Sequence, residues 1–302
     1  MKNTSRINSI GAWLKDEFGE KVIKLSIDGG FTCPNRDGTK GVGGCIFCSA
    51  GGSGELASNI PAQMKLLQDK WPNVSKYIAY FQSHTSTYAP VEVLEAKYRE
   101  ALSQPQIIGL AIATRPDCLS HEVLDLLDRL NRETFLWVEL GLQTVHHDRI
   151  NRCYDLSCYD EAVENLISRG IRVVTHLILG LPGEDSSHMT ASVKHVCKQP
   201  IFGIKLHLMN VVKGSAMEGL YPGYTPFSSP EEYIHLVCDL LEIIPADITI
   251  HRLTGDVPRH LLIAPPWSYK KRTILNGIAH KMKRRGSYQG CSLSGGPSLP
   301  SL

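Results

Sequence analysis

The sequence predicts an α/β fold in which a parallel sheet curls into a partial barrel of the (β/α)6 type, with short N- and C-terminal extensions. Apolar, β-branched segments alternate with amphipathic ones, which is typical of repeated strand–helix units with right-handed crossovers. The apolar segments are nearly continuous, as in strands buried on both faces. About six or seven such segments are too few for a full eightfold barrel. The predicted strands span residues 22–28, 77–82, 107–113, 135–142, 171–180, 202–209 and 247–253.

The segments between the strands have helical spacing. Apolar residues fall on one face of a helix over 120–131, and again over 157–168. Ser229 followed by Pro230 is a typical helix start, with Ser as the N-cap and Pro at the first helical position. Glu232 is placed to close a capping box with this start. In such folds the chemistry collects at the carboxyl ends of the strands, so site residues should follow strands.

Four parts are expected along the chain: an N-terminal extension (1–20), the barrel (21–255), a basic extension (256–290) and a disordered, Ser/Gly/Pro-rich tail (291–302). Hydrophobic residues make up 42% and charged residues 21%, which is ordinary for a globular protein. The formal net charge of +2 excludes no class of partner. Its distribution is uneven, since no Asp or Glu follows Asp256.

Composition also bears on the compartment. No apolar run approaches the roughly 20 residues that a membrane helix needs, so no membrane partner is expected. The basic N-terminus is not followed by an apolar block, which argues against a secretory signal. Nine cysteines, an odd number in a chain of 302 residues, do not resemble a secreted disulfide scaffold. These features predict a cytoplasmic protein with free thiols.

Three cysteines follow the first predicted strand with the spacing of a metal site. Cys45 and Cys48 are separated by two residues and can bind one metal centre together, while a glycine-rich loop returns Cys33. Structural zinc and ordinary iron–sulfur carriers usually have four protein ligands, so three thiolates favour a [4Fe–4S] cluster with one open iron. A zinc site completed by His84 or another distant ligand is the alternative. A redox dithiol would leave the third cysteine unexplained.

Six segments in this order resemble the radical S-adenosylmethionine (SAM) superfamily. The cysteine spacing is wider than in most members and is similar to that of the elongator-catalytic-subunit-like branch. Within that branch the match is to the YhcC/YtqA-type bacterial proteins, from about residue 10 to 290. The segments are FTCPNRDG, GGCIFCSAGGSGE, TYAP, IATRPDCL, HLILGLPGE and RLTGD.

The resemblance implies a radical SAM enzyme whose [4Fe–4S] cluster is held by Cys33, Cys45 and Cys48. SAM would chelate the open iron, and its reductive cleavage would give a 5′-deoxyadenosyl radical that takes hydrogen from the substrate. Reduced flavodoxin or ferredoxin is the expected electron donor. By analogy with elongator-type relatives, tRNA with its wobble uridine is the favoured substrate. A metabolite or protein substrate is one alternative, and a non-catalytic zinc- or cluster-bearing RNA-binding protein is another.

The resemblance also implies contacts to SAM. Gln82, Ser83 and Thr85 stand where the family usually has a glycine-rich element that touches the SAM amino group. Gln143 and Arg152 resemble the contacts to ribose and carboxylate, and the forked Arg guanidinium suits a carboxylate.

Three further residues are predicted to bind the cofactor. Glu139 lies late in an apolar strand and needs a partner if buried. Gly180 and Gly183 in HLILGLPGE resemble the element that lines the adenine, and both also suit a strand-to-helix turn with positive φ.

Other motifs favour structural roles. Arg115 and Asp117 are expected to form a local ion pair and loop anchor, and His176 is expected to be a core residue rather than a proton donor. The basic run 270–285 is by default a solvated helix face. Alternatively, this helix lies beside the barrel mouth and binds RNA phosphates, with flanking aromatics to stack on bases.

Overall fold

A computed structural model describes residues 5–49, 51–52, 54–146 and 154–293. Within them, seven strands form one parallel sheet in the order β1-β2-β3-β4-β5-β6-β8. All seven predicted strands are confirmed, with ends shifted by at most two residues. The strands are β1 (Val22–Ile27), β2 (Lys76–Phe81), β3 (Ile107–Thr114), β4 (Phe135–Gln143), β5 (Arg172–Leu179), β6 (Gly203–Leu208), β7 (Val211–Val212), β8 (Thr249–Arg252) and β9 (Leu262–Ala264).

The sheet is a curled half-barrel, as predicted. β7 and β9 form a separate antiparallel ribbon after the carboxyl ends of β6 and β8. The helices are α1 (Ile10–Phe18), α2 (Ile60–Lys70), α3 (Val91–Leu102), α4 (His121–Glu133), α5 (Leu156–Ile167), α6 (Ser186–Val196), α7 (Ala216–Leu220), α8 (Pro230–Ile243) and α9 (Lys271–Arg285).

The crossover helices bury one face each against the outside of the sheet. In α4 the buried side chains recur at helical spacing, and Ser120 caps the helix by accepting from the Val123 N–H. The predicted start of α8 is confirmed, because Ser229 accepts from the Glu232 N–H at 3.2 Å. The capping box is wrong by one residue: the Glu232 carboxylate accepts from the N–H of Ser228 at 2.8 Å, not from that of Ser229.

The N-terminal segment packs into the half-barrel at the amino ends of the strands. The backbone carbonyl of Asn8 accepts a hydrogen bond from the Ile250 N–H of β8 at 2.7 Å, so the segment before α1 lies along the free edge of that strand. Leu14 is buried against the side chains that point inward from the strands. Trp13 packs on Phe202 with ring centres 4.9 Å apart. The N-terminal segment therefore covers the amino-terminal end of the barrel.

The basic C-terminal extension forms α9, which packs along α8. Lys271 at its start pairs with Asp256, just after the carboxyl end of β8, at 2.8 Å. Arg285 at its end pairs with Glu242 near the end of α8 at 3.0 Å, and α8 leads into the amino end of β8. A 15-residue helix is about 22 Å long, so the last basic residues of α9 lie far from the carboxyl ends of the strands.

No helix in the described part of the chain is long and apolar enough to cross a membrane. The predicted domain boundaries stay predictions. Most of the predicted disordered tail, residues 294–302, lies outside the described residues.

The packing of β3 against β4 generates a prediction. A Cβ on Gly109 would lie 2.3 Å from the Phe135 carbonyl oxygen, whereas one on Gly11 in α1 would meet no atom within 4 Å. We expect Gly109→Ala to lower the free energy of unfolding by about 1–3 kcal/mol, because the two strands must separate. Gly11→Ala, the control, should leave it unchanged or raise it. Urea unfolding followed by circular dichroism measures both, and equal stability of the two variants would contradict the close approach.

Candidate functional site

A cavity of about 230 Å³ opens at the carboxyl ends of the strands, where functional side chains were predicted to collect. The loop after β1 forms one wall. The ends of β2 to β6 and β8 form the others, so residues far apart in sequence meet here.

Cys33, Cys45 and Cys48 all line this cavity. The loop that carries them is held by its own backbone, with the Arg36 N–H donating to the Cys33 carbonyl at 2.8 Å and the Cys48 N–H to the Cys45 carbonyl at 2.9 Å. Gly44 has a φ of 85°, and a Cβ there would lie 2.9 Å from the Arg36 side chain. The glycines therefore allow the tight fold that the sequence predicted.

The sulfurs of Cys45 and Cys33 accept hydrogen bonds from neighbouring side chains. Asn35 donates from Nδ2 to the Cys45 sulfur at 3.5 Å, and Arg115 donates from Nη1 to the Cys33 sulfur at 3.6 Å. Burial, followed by the neighbouring Cys48, raises the pKa of Cys45 to about 11. A bound metal would be needed to hold this thiol as a thiolate at neutral pH, and the N–H donors suit a thiolate.

The predicted Arg115–Asp117 ion pair is confirmed. Arg115 makes two hydrogen bonds to the Asp117 carboxylate, at 2.9 and 2.8 Å, and Lys40 of the cysteine loop pairs with the same carboxylate at 2.6 Å. The pair thus holds the guanidinium against the Cys33 sulfur. In the described residues no group of three or more His, Cys, Asp or Glu side chains lies close enough together to hold a single metal ion.

Of the three residues predicted to contact SAM after β2, two line the cavity and one does not. Gln82 and Thr85 line the cavity. Ser83 does not; it is buried against Gly54, where an added Cβ would lie 2.0 Å from the Ser83 hydroxyl. His84, with a φ of 59°, also lines the cavity, and its Nδ1 is buried without a hydrogen-bond partner in the described structure.

At the end of β4, Glu139 and Gln143 both line the cavity. In a regular strand residues 139 and 143 point the same way, but here the pairing with β5 shifts between Gly141 and Gln143, and Gln143 has a φ of 70°. Gln143 thus lines the cavity from an irregular strand end. Arg152 lies outside the described residues.

The turn after β5 has the predicted backbone. Gly180 and Gly183 have φ values of 89° and 77°, so both adopt the conformation that favours glycine. Neither glycine is among the residues that line the cavity, and their contact with the adenine stays a prediction. A Cβ on Gly180 would lie 2.7 Å from Phe227, so the close approach at this glycine is to that ring.

Glu139 is fully buried at the centre of a polar cluster inside the half-barrel. Its carboxylate contacts the ammonium of Lys205 and accepts hydrogen bonds from Trp137 Nε1 at 2.9 Å and His176 Nε2 at 2.7 Å. Lys24 lies 3.9 Å away on the far strand β1. Burial alone would raise the pKa of Glu139, but the charges of Lys205 and Lys24 hold it well below its usual range.

Two histidines connect this cluster to the cavity. Burial, then the charge of Lys205, lowers the pKa of His176 to about 4, so at neutral pH it is neutral and donates from Nε2 to Glu139. The ring of His207 packs on it with centres 5.0 Å apart. His207 Nε2 and Asn210 Oδ1 are buried at the cavity without hydrogen-bond partners in the described structure, so both suit a polar ligand.

The prediction from sequence missed several of these residues. Lys205 and His207 alternate in an otherwise apolar strand, and this period of two would have indicated polar side chains pointing into the barrel. Lys24 interrupts β1 in the same way. Arg252 and Asp256, which line the cavity, belong to the RLTGD segment.

Comparisons with known proteins agree with this geometry. A family model described as the radical SAM superfamily matches residues 33–196, more than half of the chain, beginning at Cys33. A model described as the radical SAM C-terminal domain matches residues 201–284.

Individual relatives refine the match. The uncharacterized protein YtqA of Bacillus subtilis is 47% identical over 297 residues, covering 94% of this chain and 92% of that protein. The tRNA uridine(34) acetyltransferase of Dehalococcoides mccartyi is 31% identical over 173 residues, which is 54% of this chain and 37% of that enzyme. The solved structure of Elp3 from the archaeon Methanocaldococcus infernus, with an N-terminal deletion, has the same fold with a TM-score of 0.63. It is 17% identical and covers 76% of this chain and 58% of that one.

The predicted resemblance to the YhcC/YtqA-type proteins and the elongator-like branch is thereby confirmed. This chain belongs to the radical SAM superfamily, whose members carry a [4Fe–4S] cluster and bind SAM.

Proposed function

We propose that this radical SAM enzyme modifies tRNA at a uridine, with the wobble position as the favoured target. The observation that carries the proposal is the cavity, in which three cysteine sulfurs face polar side chains that suit a pyrimidine base. The similarity to a tRNA uridine(34) acetyltransferase supports the choice of RNA. That match covers 37% of the enzyme, so its acetyl transfer is not carried over.

The cysteine wall fits a cluster. Cys33, Cys45 and Cys48 would hold it, and the side chains of Asn35 and Arg115 would keep their hydrogen bonds to the thiolates. When bound, the cluster supplies the electron that cleaves SAM reductively. Reduced flavodoxin or ferredoxin stays the predicted donor.

Gln82, Thr85 and Gln143 are the residues that we propose to contact SAM, because all three line the cavity beside the cysteines. Arg152 stays a prediction for the SAM carboxylate. The other predicted cofactor-binding residues would act indirectly, by fixing the backbone of the turns behind the cavity wall: Ser83, Gly180 and Gly183.

We propose a positioning role for Glu139 rather than direct binding of SAM. Its two carboxylate oxygens are already engaged by Lys205, Trp137 and His176. The carboxylate orients His176 by accepting its Nε2–H, while burial and the charge of Lys205 keep the imidazole neutral. His176 in turn packs on His207 at the cavity. Buried hydrogen-bonded charges of this kind hold a site rigid.

In the proposed complex the polar wall binds the edge of a uracil ring, which presents two carbonyl acceptors on either side of one N–H donor. Asn210 Oδ1 supplies an acceptor for the N–H, and the Arg252 guanidinium supplies donors for the carbonyls. Enzymes that modify a base take it out of its stack and bind it by such edge contacts.

The first test is loss of SAM cleavage. Anaerobically purified protein, reduced and given SAM, should form 5′-deoxyadenosine, and Cys45→Ala should abolish this because the cluster loses a ligand. Cys291→Ala should retain it, since Cys291 lies near the end of α8, away from the cavity. Chromatography measures the product. A colourless wild-type protein that carries one zinc and no acid-labile sulfide would overturn the mechanism.

The second test identifies the substrate. Mass spectrometry of bulk tRNA nucleosides should show one modified uridine that disappears in cells lacking the gene. The wild-type gene should restore it and the Cys45→Ala gene should not, because the modification depends on SAM cleavage. A nucleoside profile that is the same in all three strains would contradict the choice of tRNA.

The buried cluster gives a third prediction. Glu139→Gln leaves Lys205 and Lys24 without their shared carboxylate and should lower the free energy of unfolding by about 3–5 kcal/mol. Lys205→Met, the matched variant, should cost less, because Glu139 keeps Lys24, His176 and Trp137.

Urea midpoints of both variants measure this difference. The low pKa of Glu139 means that its contribution is complete at neutral pH and is lost only as the pH falls through that pKa. The gap between wild type and Glu139→Gln should therefore hold at neutral pH and shrink only in acid, below about pH 4. A greater loss in Lys205→Met than in Glu139→Gln would contradict this account.

A further inference from the structure

A group of exposed cationic and aromatic side chains borders the mouth of the cavity. We call it the mouth rim. It comes from the end of β7, the turn before β9 and the turn before α9, and it consists of Lys213, Arg259, His260, Tyr269 and Lys270.

Backbone and ring contacts join these segments into one surface. The Lys213 N–H donates to the Leu261 carbonyl at 2.9 Å, which places Lys213 beside the turn that carries Arg259. The Arg259 guanidinium lies 4.6 Å from the centre of the Tyr269 ring, and the Lys270 ammonium lies 5.9 Å from it. The mouth rim is therefore continuous across three separate parts of the chain.

The mouth rim adjoins the cavity directly. Val212 lines the cavity and precedes Lys213, and Val257 lines it two residues before Arg259. A polymer held on the mouth rim would thus have one of its units within reach of the cavity.

Within the part of the chain that the structure describes, Lys213, Arg259 and Lys270 form no ion pair with an acidic side chain. The nearby carboxylate of Asp256 forms ion pairs with Lys271 at 2.8 Å and with Arg252 at 3.8 Å, and neither partner belongs to the mouth rim. Glu218, beyond β7, accepts from the Gly214 N–H at 2.8 Å. From residue 257 to the end of the sequence there is no Asp or Glu.

We propose that the mouth rim binds the RNA backbone on either side of the target nucleotide while that nucleotide enters the cavity. The inference rests on the proposed function and specifies where the RNA lies. The cationic side chains of Lys213, Arg259 and Lys270 bind phosphates, because neutralising the phosphate charges releases the counterions condensed on the RNA. Tyr269 stacks on a neighbouring base, as exposed aromatic rings do in single-stranded RNA sites.

The proposal also says where the RNA does not lie. Lys283 and Arg284 are as exposed and basic as the mouth rim, but they lie in the last turn of α9, at the opposite end of the barrel. Their neighbour Arg285 is paired with Asp239 and Glu242 of α8. A charge run in the sequence is thus divided by the fold into two surfaces that one experiment can separate.

The test compares two charge-matched double variants of the full chain with its cluster. Arg259→Ala/Lys270→Ala removes one Arg and one Lys from the mouth rim, and Lys283→Ala/Arg284→Ala removes the same charges from the end of α9. Binding of fluorescently labelled, unmodified tRNA is followed by anisotropy over a series of salt concentrations. Melting temperature and iron content establish that both variants are folded and loaded.

The mouth-rim variant should bind tRNA about tenfold more weakly and show a salt dependence smaller by about two ions, one for each lost phosphate contact. The α9 variant should bind like wild type. Equal weakening in both variants, or weakening in the α9 variant alone, would overturn the mouth-rim proposal and leave the proposed function intact. Conversely, binding that depends on the mouth rim, together with an unchanged nucleoside profile, would overturn tRNA modification alone.

Discussion

The carboxylate of Glu139 links strands that do not pair with one another. It projects from β4 and contacts Lys205 of β6 and Lys24 of β1, and these strands are neighbours only across the inside of the curl. Three such side chains can meet only if the sheet bends, so the ion pairs and the curvature require each other. Because one partner alone would leave a buried charge uncompensated, the cluster favours this curvature over a flatter sheet.

Because the sheet curls, the two ends of the half-barrel differ in packing and polarity. At the amino ends of the strands, Trp13 and Leu14 of α1 pack inside, and the segment before α1 lies along β8. At the carboxyl ends the parallel strands deliver their loops to one place, where the cysteine loop meets His207 and Arg252. One end is filled by apolar packing, while the other keeps polar side chains around a cavity.

Local pattern was sufficient for the strands, most of the helix signals and the placement of the three cysteines at the cavity, because apolar periodicity and cysteine spacing are properties of short segments. It was insufficient where the partner is distant in sequence. Gly180 lies close to the Phe227 ring, and Glu232 caps through Ser228, since neighbouring backbone and packing decide these contacts. The interior cluster was missed because Lys24 and Lys205 become compensated only when the sheet curls.

The same limit applies to the basic C-terminal segment. As a sequence it is one run of charge, and the default expectation of a solvated helix face holds for the end of α9. In the fold, the last basic residues of α9 are separated from Lys270 and Lys271 by the length of the helix. The ribbon of β7 and β9, in contrast, places Lys213 beside the turn that carries Arg259, although the two residues are far apart in sequence. A binding surface for a polyanion therefore has to be inferred from which charges share one edge of the cavity, and not from how many stand together in the chain.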